Sequence, residues 1–355
     1  MLFRSLKRLL GNDQIDRLWI FNRPFRLVAL ITRILLRMRL SVEAVLGNPV
    51  QQVHIGRPVH FEGKGGERSN QVAVDRMTEA GSHAGFRNVR FYPEPVAATL
   101  SYLSAAKLTG NGIVLAVDFG GGTLDLCVVR YSEAQFEVLS TAGIGLGGDR
   151  IDQLIFRRLL FPLLGEGEWW SRKVEGRLIE TPFPFHEYEE GLLNWAITHT
   201  LNQNQYKTRI AECIANGGPA AIKFERLKDL INYNYSYNVF RAIRKAKAEL
   251  SSTEETMLDI PELNLLVPFS RSQLDAMLAE VLATLSGLIT QVVAEASLQC
   301  SQIDVVVRTG GTSQIVAVQR LLEERFPGKV TAHDPFTSVA GGLAIASYNA
   351  HRSQS

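Results

Sequence analysis

The chain has 355 residues, which is enough for a large core or two lobes because a domain takes about 100–200 residues, and a small disulfide-stapled module is excluded. The 38 basic and 36 acidic residues leave a net charge of +2, so no strong overall charge favours nucleic acid or lipid as a partner. Hydrophobic residues at 46% and charged residues at 21% are typical of a folded protein and exclude extensive disorder.

The N-terminal region departs from this balance. Six arginines and no acid lie between residues 17 and 39, a pattern typical of a basic amphipathic helix on anionic lipid or nucleic acid. Helical spacing predicts a helix over 27–46. Its apolar face carries Leu27, Leu30, Ile31, Ile34 and Met38.

We expect a cytoplasmic protein without a transmembrane segment. Arg33 and Arg37 interrupt the best apolar run, which is therefore too short to cross a bilayer or to serve as a secretory signal. The three cysteines are far apart and odd in number, which favours a reducing compartment over a disulfide framework.

The first part of the chain predicts mixed α/β structure. Apolar alternation indicates a strand over 52–55, and helical spacing indicates a helix over about 70–84. Two prolines predict a turn over 91–95, because proline pushes the preceding residue away from helical angles. A helix of small residues over 96–106 precedes a glycine-rich linker at 109–112.

The second part begins with strands over 113–117, 124–131 and 136–140. The strands are too close together for helical crossovers, so we expect an antiparallel meander. Further along, we predict helices over 150–160, 239–250, 315–326 and 339–348, a strand over 303–307, and helices with long connections over 162–237.

The most informative motif follows the first strand of this meander. Three consecutive glycines, Gly120–Gly122, let backbone N–H groups approach a phosphate, and Thr123 can add a hydroxyl. Asp118 and Asp125 flank the turn, which indicates an intervening Mg²⁺ or an oriented water. The alternative is a surface hairpin of glycines with flanking acids.

Two further glycine turns follow similar patterns. Residues 143–148 contain G-x-G-x-x-G, but the strand and acid that a dinucleotide fold requires are lacking downstream. We therefore favour a second phosphate-facing turn, at Gly147 and Gly148, before a helix. Gly310, Gly311 and Thr312 also follow an apolar strand, so the two strand-turn copies predict two jaws around one ligand.

Two charged residues are candidates for a site. Glu94 stands between two prolines, which hold its carboxylate rigidly. Lys247 lies at the edge of an apolar helical stripe, with Ser251 one turn later. A solvated lysine and a ligand-binding lysine are both compatible with that position.

The order of these motifs resembles the ATPase domain of DnaK-type heat-shock chaperones, in the superfamily that includes actin and sugar kinases. The match is strongest over 118–125, followed by 145–149, and it includes 94–98, 246–251 and 310–313. Residues 56–58 and 334–342 resemble the YegD-like divergent branch. The resemblance covers most of the chain apart from about 162–238.

The resemblance implies roles for individual residues toward ATP or ADP, Mg²⁺ and a monovalent cation. Asp118 and Glu94 are implied to hold hydrated Mg²⁺, and Asp118 with Asp125 to face the attacking water. Lys7 is implied to be the catalytic lysine. The implied nucleotide contacts are Gly120, Gly121, Gly122 and Thr123 at the phosphates, then Gly147, Gly148, Lys247, Ser251, Gly310, Gly311 and Thr312.

The fold that the resemblance implies is α/β, a two-lobed actin-like ATPase fold with ribonuclease-H-like lobes. Residues 1–109 with 334–355 are expected to form the first lobe and 110–333 the second. Since Lys7 is so close to Met1, we expect the first lobe to lack its N-terminal strands and first phosphate loop. The family's usual nucleoside contacts are replaced by Arg244, Ala248, Gln314 and Phe336.

The implied function is hydrolysis of ATP to ADP and phosphate in an interlobe cleft, with a protein client or co-chaperone as partner and no nucleic acid. A non-catalytic nucleotide-binding or partner-binding module is the alternative, because phosphoryl transfer depends on positioning from both sides. A small-molecule kinase would need an acceptor pocket that the sequence does not show. The resemblance also makes 27–46 an ordinary helix packed by its Leu/Ile face, which we favour over a lipid-binding one.

Overall fold

The structure, a computed structural model, describes residues 6–20, 23–61, 66–106, 110–132, 136–195, 197–334 and 337–352. Its main elements, in chain order, are α1 (Leu6–Leu9), β1 (Arg17–Ile20), β2 (Arg23–Arg26), α2 (Leu27–Leu46), β3 (Gln52–Arg57), α3 (Glu67–His83), β4 (Asn88–Pro93), α4 (Glu94–Ala106), β5 (Gly112–Phe119), β6 (Leu124–Tyr131), β7 (Phe136–Ile144), α5 (Gly148–Ile155), β8 (Trp169–Val174), β9 (Arg177–Pro182), α6 (His186–Leu193), α7 (Asn204–Ala215), α8 (Ala221–Asn232), α9 (Ser236–Glu249), β10 (Glu255–Ile260), β11 (Leu265–Ser270), α10 (Arg271–Met277), α11 (Ala279–Glu295), β12 (Val305–Thr309), α12 (Val316–Arg325), β13 (Val330–Ala332) and α13 (Ser338–Arg352).

The chain divides into two compact units. The first unit combines residues 1–148 with 281–355, and the second comprises 149–280. The predicted lobes, 1–109 with 334–355 and 110–333, stay a prediction.

A five-stranded sheet is the centre of the first unit. Its strand order is β13-β12-β5-β6-β7. The pairs β13/β12 and β12/β5 are parallel, whereas β5/β6 and β6/β7 are antiparallel. The predicted meander is therefore confirmed. The strands β5 and β6 are apolar runs because both of their faces are covered. Residues 114–117 of β5 and 126–129 of β6 are fully buried.

A second sheet of the first unit contains β3 and β4, paired in parallel. One of its faces packs against α2 and α3 in a core of small and branched residues. That core includes Leu27, Ile31, Leu35, Ala73 and Ala80, with the partly buried Val53, Ile55 and Val89 packed against it. The sheet thus carries α2 and α3 on one face, as an amphipathic helix requires.

Helices α4 and α13 pack against each other and contact both sheets of the first unit. A Cβ atom on Gly342 would lie 1.7 Å from the carbonyl oxygen of Ala97. The two backbones therefore touch directly, which only glycine allows at this position. The small residues that predicted these two helices permit this close approach.

The predicted turn over 91–95 is wrong. Residues up to Pro93 belong to β4, where Arg57 of β3 is the partner of Pro93, and α4 begins at Glu94. Pro93 is tolerated because it is the last residue of its strand. Pro95 is tolerated because the first turn of a helix needs no N–H donor there.

The second unit differs from the prediction of helices alone over 162–237. An antiparallel hairpin of β8 and β9 precedes α6, α7 and α8. Aromatic rings fill the core of this unit, with Phe183 against Phe224 at 4.8 Å and Phe161 against Phe185 at 4.8 Å between ring centroids. A second hairpin, β10 with β11, follows α9.

The predicted packing face of α2 is partly wrong. Leu27 and Ile31 are buried, together with Val28 and Leu35. Ile34 and Met38 are instead 52% and 59% exposed. Ile34 lies at the edge of the buried face, next to the buried Leu35, and Met38 lies beyond the last buried residue of the helix.

Among the described residues, no single helix is long and apolar enough to cross a membrane. The bent pair of α10 and α11 meets the same criterion together, by length and composition only.

Candidate functional site

Three glycine turns of the first unit meet at one backbone oxygen. The carbonyl of Gly120, just after β5, accepts a hydrogen bond from the N–H of Gly148 at 3.0 Å and from the hydroxyl of Thr312 at 2.7 Å. The N–H of Gly120 donates to the carbonyl of Thr123 at 3.0 Å, which closes the first turn. The turns at 120–123, 147–148 and 310–312 therefore form one backbone-lined surface at the end of β5.

The expectation of two opposing jaws is wrong. The strands β5 and β12 are parallel neighbours in one sheet, with Asp118 opposite Thr309. Their glycine turns consequently emerge side by side at the same sheet edge, and Thr312 ties one turn to the other. A ligand would lie against both turns rather than between them.

The glycines of these turns fall into two groups. A Cβ atom on Gly147 would lie 2.4 Å from the carbonyl oxygen of Gly121, and one on Gly310 would lie 2.4 Å from the carbonyl oxygen of Phe119. Gly310 also has a φ of +82°. Packing alone therefore requires glycine at these two positions. A Cβ atom on Gly121 or Gly311 would meet no atom within 4 Å. These two positions face open space, where a ligand can approach the backbone closely.

Two carboxylates stand beside the first turn. Asp118 at the end of β5 and Asp125 at the start of β6 are direct cross-strand partners. The Oδ1 atom of Asp125 accepts a hydrogen bond from the backbone N–H of Val59 at 2.7 Å. Its Oδ2 atom is buried and has no hydrogen-bond partner among the described residues. A buried oxygen in that state indicates a missing donor or cation.

The two aspartates keep their protons to higher pH than ordinary aspartates do. Burial raises the pKa of Asp118 to about 7, and the negative charges of Glu94 and Asp125 add to the rise. Burial likewise raises the pKa of Asp125 to about 6, although the Thr123 side chain and the Val59 N–H partly offset the effect. A bound cation would reverse this balance by stabilising the ionised forms.

Lys7 and Glu94 form an ion pair at the same place. The Nζ atom of Lys7 lies 2.6 Å from Oε2 of Glu94, and the two side chains are 43% and 18% exposed. The positive charge of Lys7 acts on both aspartates, whose pKa values it lowers. Glu94, Asp118, Asp125 and Lys7 thus form one cluster of interacting charges.

The side chain of Arg76 in α3 secures the segment that follows Lys7. Its guanidinium donates to the carbonyl oxygens of Leu10, Asn12 and Ile15, each at 2.8 Å. This arrangement fixes the chain after α1. Sequence reasoning missed Arg76, because its partners are more than 60 residues away and the helix pattern does not distinguish it from a surface arginine.

Asn70 supports the segment that binds Asp125. Its Oδ1 accepts a hydrogen bond from the N–H of Phe61 at 2.8 Å, and its amide nitrogen lies 3.0 Å from the ring of His60. The side chain of Arg57 donates to the carbonyl of Val59 at 3.1 Å. Asn70 and Arg57 are therefore positioning residues for the N–H of Val59. Only the residues 56–58 of this segment stood out in the sequence, by resemblance.

The candidate residues Lys247 and Ser251 belong to the second unit. Lys247 is neither solvated nor exposed: its ammonium bonds to the carboxylate of Asp152, and the two side chains are 14% and 2% exposed. Asp152 was not predicted, because it is 95 positions from Lys247 along the chain. A role of Lys247 and Ser251 in nucleoside binding stays a prediction. Phe336 lies outside the described residues.

The carboxylates fit a hydrated divalent cation. Carboxylate oxygens are hard ligands that suit Mg²⁺, which usually keeps several waters and takes one or two protein carboxylates with substrate phosphates. Asp118 and Glu94 supply such oxygens, and the unpartnered Oδ2 of Asp125 supplies another. Among the described residues, no group of three or more His, Cys, Asp or Glu side chains is placed to hold a metal ion.

Comparisons with known proteins show which proteins this chain is similar to. A family model described as Hsp70 protein matches residues 18–161 and 217–349. The chain is similar to the "Chaperone protein DnaK" of Elusimicrobium minutum, 26% identical over 96% of this chain and 46% of that protein. It is also similar to the "Chaperone protein DnaK" of Thermotoga petrophila, 26% identical over 96% of this chain and 48% of that protein, and to the "Chaperone protein DnaK 3" of a Synechococcus strain, 25% identical over 94% and 43%.

The chain thus spans about half the length of the curated relatives it matches. The matched ranges contain each candidate residue of the site except Lys7. Membership of the YegD-like branch stays a prediction.

Proposed function

Because this chain belongs to the Hsp70 family and has the mixed α/β elements of the actin-like ATPase fold, we propose that it is a chaperone-type ATPase domain that binds ATP with Mg²⁺ and hydrolyses it to ADP and phosphate. The observation that carries the proposal is the convergence of three glycine turns on the carbonyl of Gly120, next to Asp118. Such a surface offers backbone N–H groups to phosphate oxygens.

In this proposal the phosphates lie against Gly121 and Gly311, the two glycines that face open space. The backbone of 120–123 binds the β- and γ-phosphates, with the Thr123 hydroxyl as a further donor. Gly147, Gly148 and Gly310 let the turns approach one another closely enough to form that surface. Lys247 and Ser251 remain proposed nucleoside contacts.

Asp118 and Asp125 accept hydrogen bonds from the attacking water and so orient it toward the γ-phosphorus. The new bond joins that water oxygen to phosphorus, and the bond between phosphorus and the β,γ-bridging oxygen breaks, so that ADP leaves with the bridging oxygen. The proton that the water loses passes to the carboxylate of Asp118 or Asp125. Lys7 places its ammonium where negative charge develops on the transferring group. Glu94 holds Lys7 in place through the 2.6 Å ion pair.

Mg²⁺, when bound, neutralises phosphate charge and lowers the repulsion between nucleotide and carboxylates. Asp118 and Glu94 would hold it through water. Burial raises the pKa of Asp118 to about 7, and the negative charges of Glu94 and Asp125 add to the rise; a bound cation would lower this pKa.

Client proteins, co-chaperones and a cytoplasmic location are part of the same proposal and rest on the family alone. A non-catalytic nucleotide-binding module remains the second candidate. What favours it is the replacement of the family's usual nucleoside contacts by Arg244, Ala248 and Gln314, which would weaken binding of the base by about 1–2 kcal/mol if stacking is lost.

Single-turnover hydrolysis of ATP with Mg²⁺ tests the proposal. We expect Asp118→Asn to reduce the rate by a factor on the order of 10²–10³, the usual loss when one transition-state contact is removed. Glu137→Gln is the matched control, because Glu137 is an exposed carboxylate of the same sheet that pairs with Arg130. It should hydrolyse ATP at the wild-type rate.

Calorimetry with ADP and Mg²⁺ separates the two candidates. Nucleotide binding without any hydrolysis would support the non-catalytic module. Equal hydrolysis by wild type and Asp118→Asn would remove the catalytic claim, and failure to bind either nucleotide would defeat both candidates.

A further inference from the structure

Helix α2 carries an apolar stripe that nothing in the described structure covers along its C-terminal half. Ile34, Met38, Val42 and Val45 recur every three or four residues and therefore share one face. Their side chains are 46% to 85% exposed. The spacing from Ile31 through Met38 shows that the same face is buried at its start and uncovered at its end.

A row of arginines runs beside this stripe. Arg33 and Arg37 precede Ile34 and Met38 by one residue each, so they form an i, i+4 row along the edge of the stripe. Both are exposed, and neither pairs with a carboxylate of the described residues. Glu43, the acid within α2, accepts a hydrogen bond from the N–H of Val50 and lies 3.7 Å from Arg39. The surface of the stripe is thus apolar and positive.

We propose that this half of α2 is a docking surface for an anionic lipid membrane. Apolar side chains at one face of a helix insert into the boundary between headgroups and acyl chains, and flanking arginines contact the acidic headgroups. The long stems of Arg33 and Arg37 can lie along the same apolar boundary while their guanidinium groups stay at the headgroups.

Charge complementarity decides between an anionic membrane and a second copy of the chain. Two copies joined through this stripe would bring the Arg33 and Arg37 rows of both close together, and the α2 surface offers no free acid to pair with them. Like charges brought together oppose association. A membrane rich in acidic headgroups accepts the apolar stripe and the arginines together.

Flotation of the full chain with lipid vesicles tests this proposal and does not depend on nucleotide binding. The probes are vesicles of phosphatidylcholine alone and vesicles with about one quarter phosphatidylserine. We expect binding to the anionic vesicles at low salt, with weakening at high salt. Arg33→Gln with Arg37→Gln should lower the apparent affinity about 10- to 30-fold. The control pair is Arg150→Gln with Arg177→Gln, which are exposed arginines of the second unit.

Insertion of the stripe is tested separately. Met38→Gln with Val45→Gln changes exposed side chains only, so the circular dichroism spectrum should stay unchanged. Binding to anionic vesicles should fall at least about 10-fold, because burial of each CH₂ group contributes about 0.8 kcal/mol. Leu178→Gln with Leu266→Gln, two exposed leucines of the second unit, should leave vesicle binding unchanged.

A fluorescent label reports depth directly. Cys300 is the half-buried thiol and the other two cysteines are buried, so Val45→Cys in a Cys300→Ser background accepts an environment-sensitive dye at one site. We expect a blue shift with anionic vesicles for the label at 45 and none for a label placed by Tyr233→Cys, which is exposed in the second unit.

Equal binding to both kinds of vesicle, or no blue shift at position 45, would overturn the proposal. So would self-association in solution that Met38→Gln with Val45→Gln removes, because that result assigns the stripe to a second copy. Binding of polyglutamate as tight as binding of anionic vesicles would assign it to an acidic polypeptide instead.

Discussion

Two clusters in this molecule each combine a lysine with carboxylates, but they differ in their balance of charge. In the second unit, Lys247 and Asp152 are one cation and one anion, nearly buried, with the ammonium bonded to the carboxylate. In the first unit, Lys7 faces the three carboxylates of Glu94, Asp118 and Asp125. The first pair is matched in charge, whereas the second cluster has more negative than positive charge.

The difference separates a structural cluster from one that requires a ligand. A buried pair with matched charges is complete without any further group, since each charge has its partner. Burial raises the pKa of Asp152 as well as that of Asp118. At Asp152 the charge of Lys247 opposes the rise, whereas at Asp118 the charges of Glu94 and Asp125 add to it. The carboxylate cluster also keeps one buried oxygen without a partner among the described residues. Both clusters combine a lysine with acidic side chains, so composition alone does not separate them.

The largest effect should come from breaking the buried pair. Lys247→Met leaves the carboxylate of Asp152 buried without its partner, and we expect a loss of about 3–5 kcal/mol in the free energy of unfolding, measured by urea denaturation. The double variant Lys247→Met with Asp152→Leu should recover most of that loss, because apolar side chains tolerate burial. A loss below about 1 kcal/mol for the single variant would show that the pair is not structural.

The carboxylate cluster should respond to pH in the opposite sense to an ordinary ion pair. The pKa of Asp118 is raised from 3.8 to about 7, so between these values the folded state holds a proton that the unfolded state has lost. Asp118 alone should therefore lower the stability of the metal-free protein by about 2–3 kcal/mol as the pH rises from about 5 to 7, and change it little above that.

Asp118→Asn should remove most of this fall, which urea denaturation at a series of pH values would measure. Asp125, whose pKa is about 6, accounts for the part that remains. The control Glu137→Gln changes an exposed, paired carboxylate and should leave the slope unchanged. A wild-type protein that becomes more stable over this pH range would contradict the assignment of a charge-deficient site.

Substitutions in the glycine turns should have intermediate effects on stability. They distinguish glycines required by packing from glycines that face a ligand. Gly147→Ala would force a Cβ atom against the backbone of Gly121, so we expect a loss of stability of about 1–3 kcal/mol. Gly121→Ala faces open space and should leave thermal unfolding nearly unchanged while lowering nucleotide affinity in calorimetry. If Gly121→Ala bound ADP as well as wild type does, that glycine would have no ligand to accommodate.

The smallest effect on stability should come from Lys7→Met. Its ion pair with Glu94 is 43% and 18% exposed, so solvent screens it and the loss in urea denaturation should stay below about 0.5 kcal/mol. The same substitution should slow single-turnover hydrolysis on the order of 10²-fold. A variant that is destabilised as much as Lys247→Met would erase the contrast between the two clusters.

Local patterns in the sequence predicted much of this fold and fail where contacts are distant. The buried runs that end at Gly120 and Gly310 identified β5 and β12, and small residues identified α4 and α13. The strand β4 was missed because Pro93 at its end and Pro95 just after it indicate a turn when the partner strand is unknown. The hairpin of β8 and β9 was missed because β9 is mostly exposed and neither strand shows apolar alternation in the sequence.

The candidate site shows the same limit. Glycines and acids near strand ends are visible in the sequence, so Asp118, Asp125 and the turns were predicted together. Asp152, Arg76 and Asn70 were not, because each acts through partners that only the tertiary structure brings close. The uncovered stripe of α2 was likewise hidden, since helical spacing predicts which residues share a face but not how far the core extends along it.

The backbone contact between Gly342 and Ala97 has a mechanical consequence. No side chain separates α4 and α13 at this crossing. A displacement of one helix is therefore not absorbed by side-chain movement, and the two helices should move as one rigid body. Glu94 is the first residue of α4, so a small shift of its carboxylate toward a ligand would be carried along the 15 residues of α13, a distance of about 22 Å at 1.5 Å per residue. A larger residue at 342 would separate the two helices, so that a shift of Glu94 would no longer move α13.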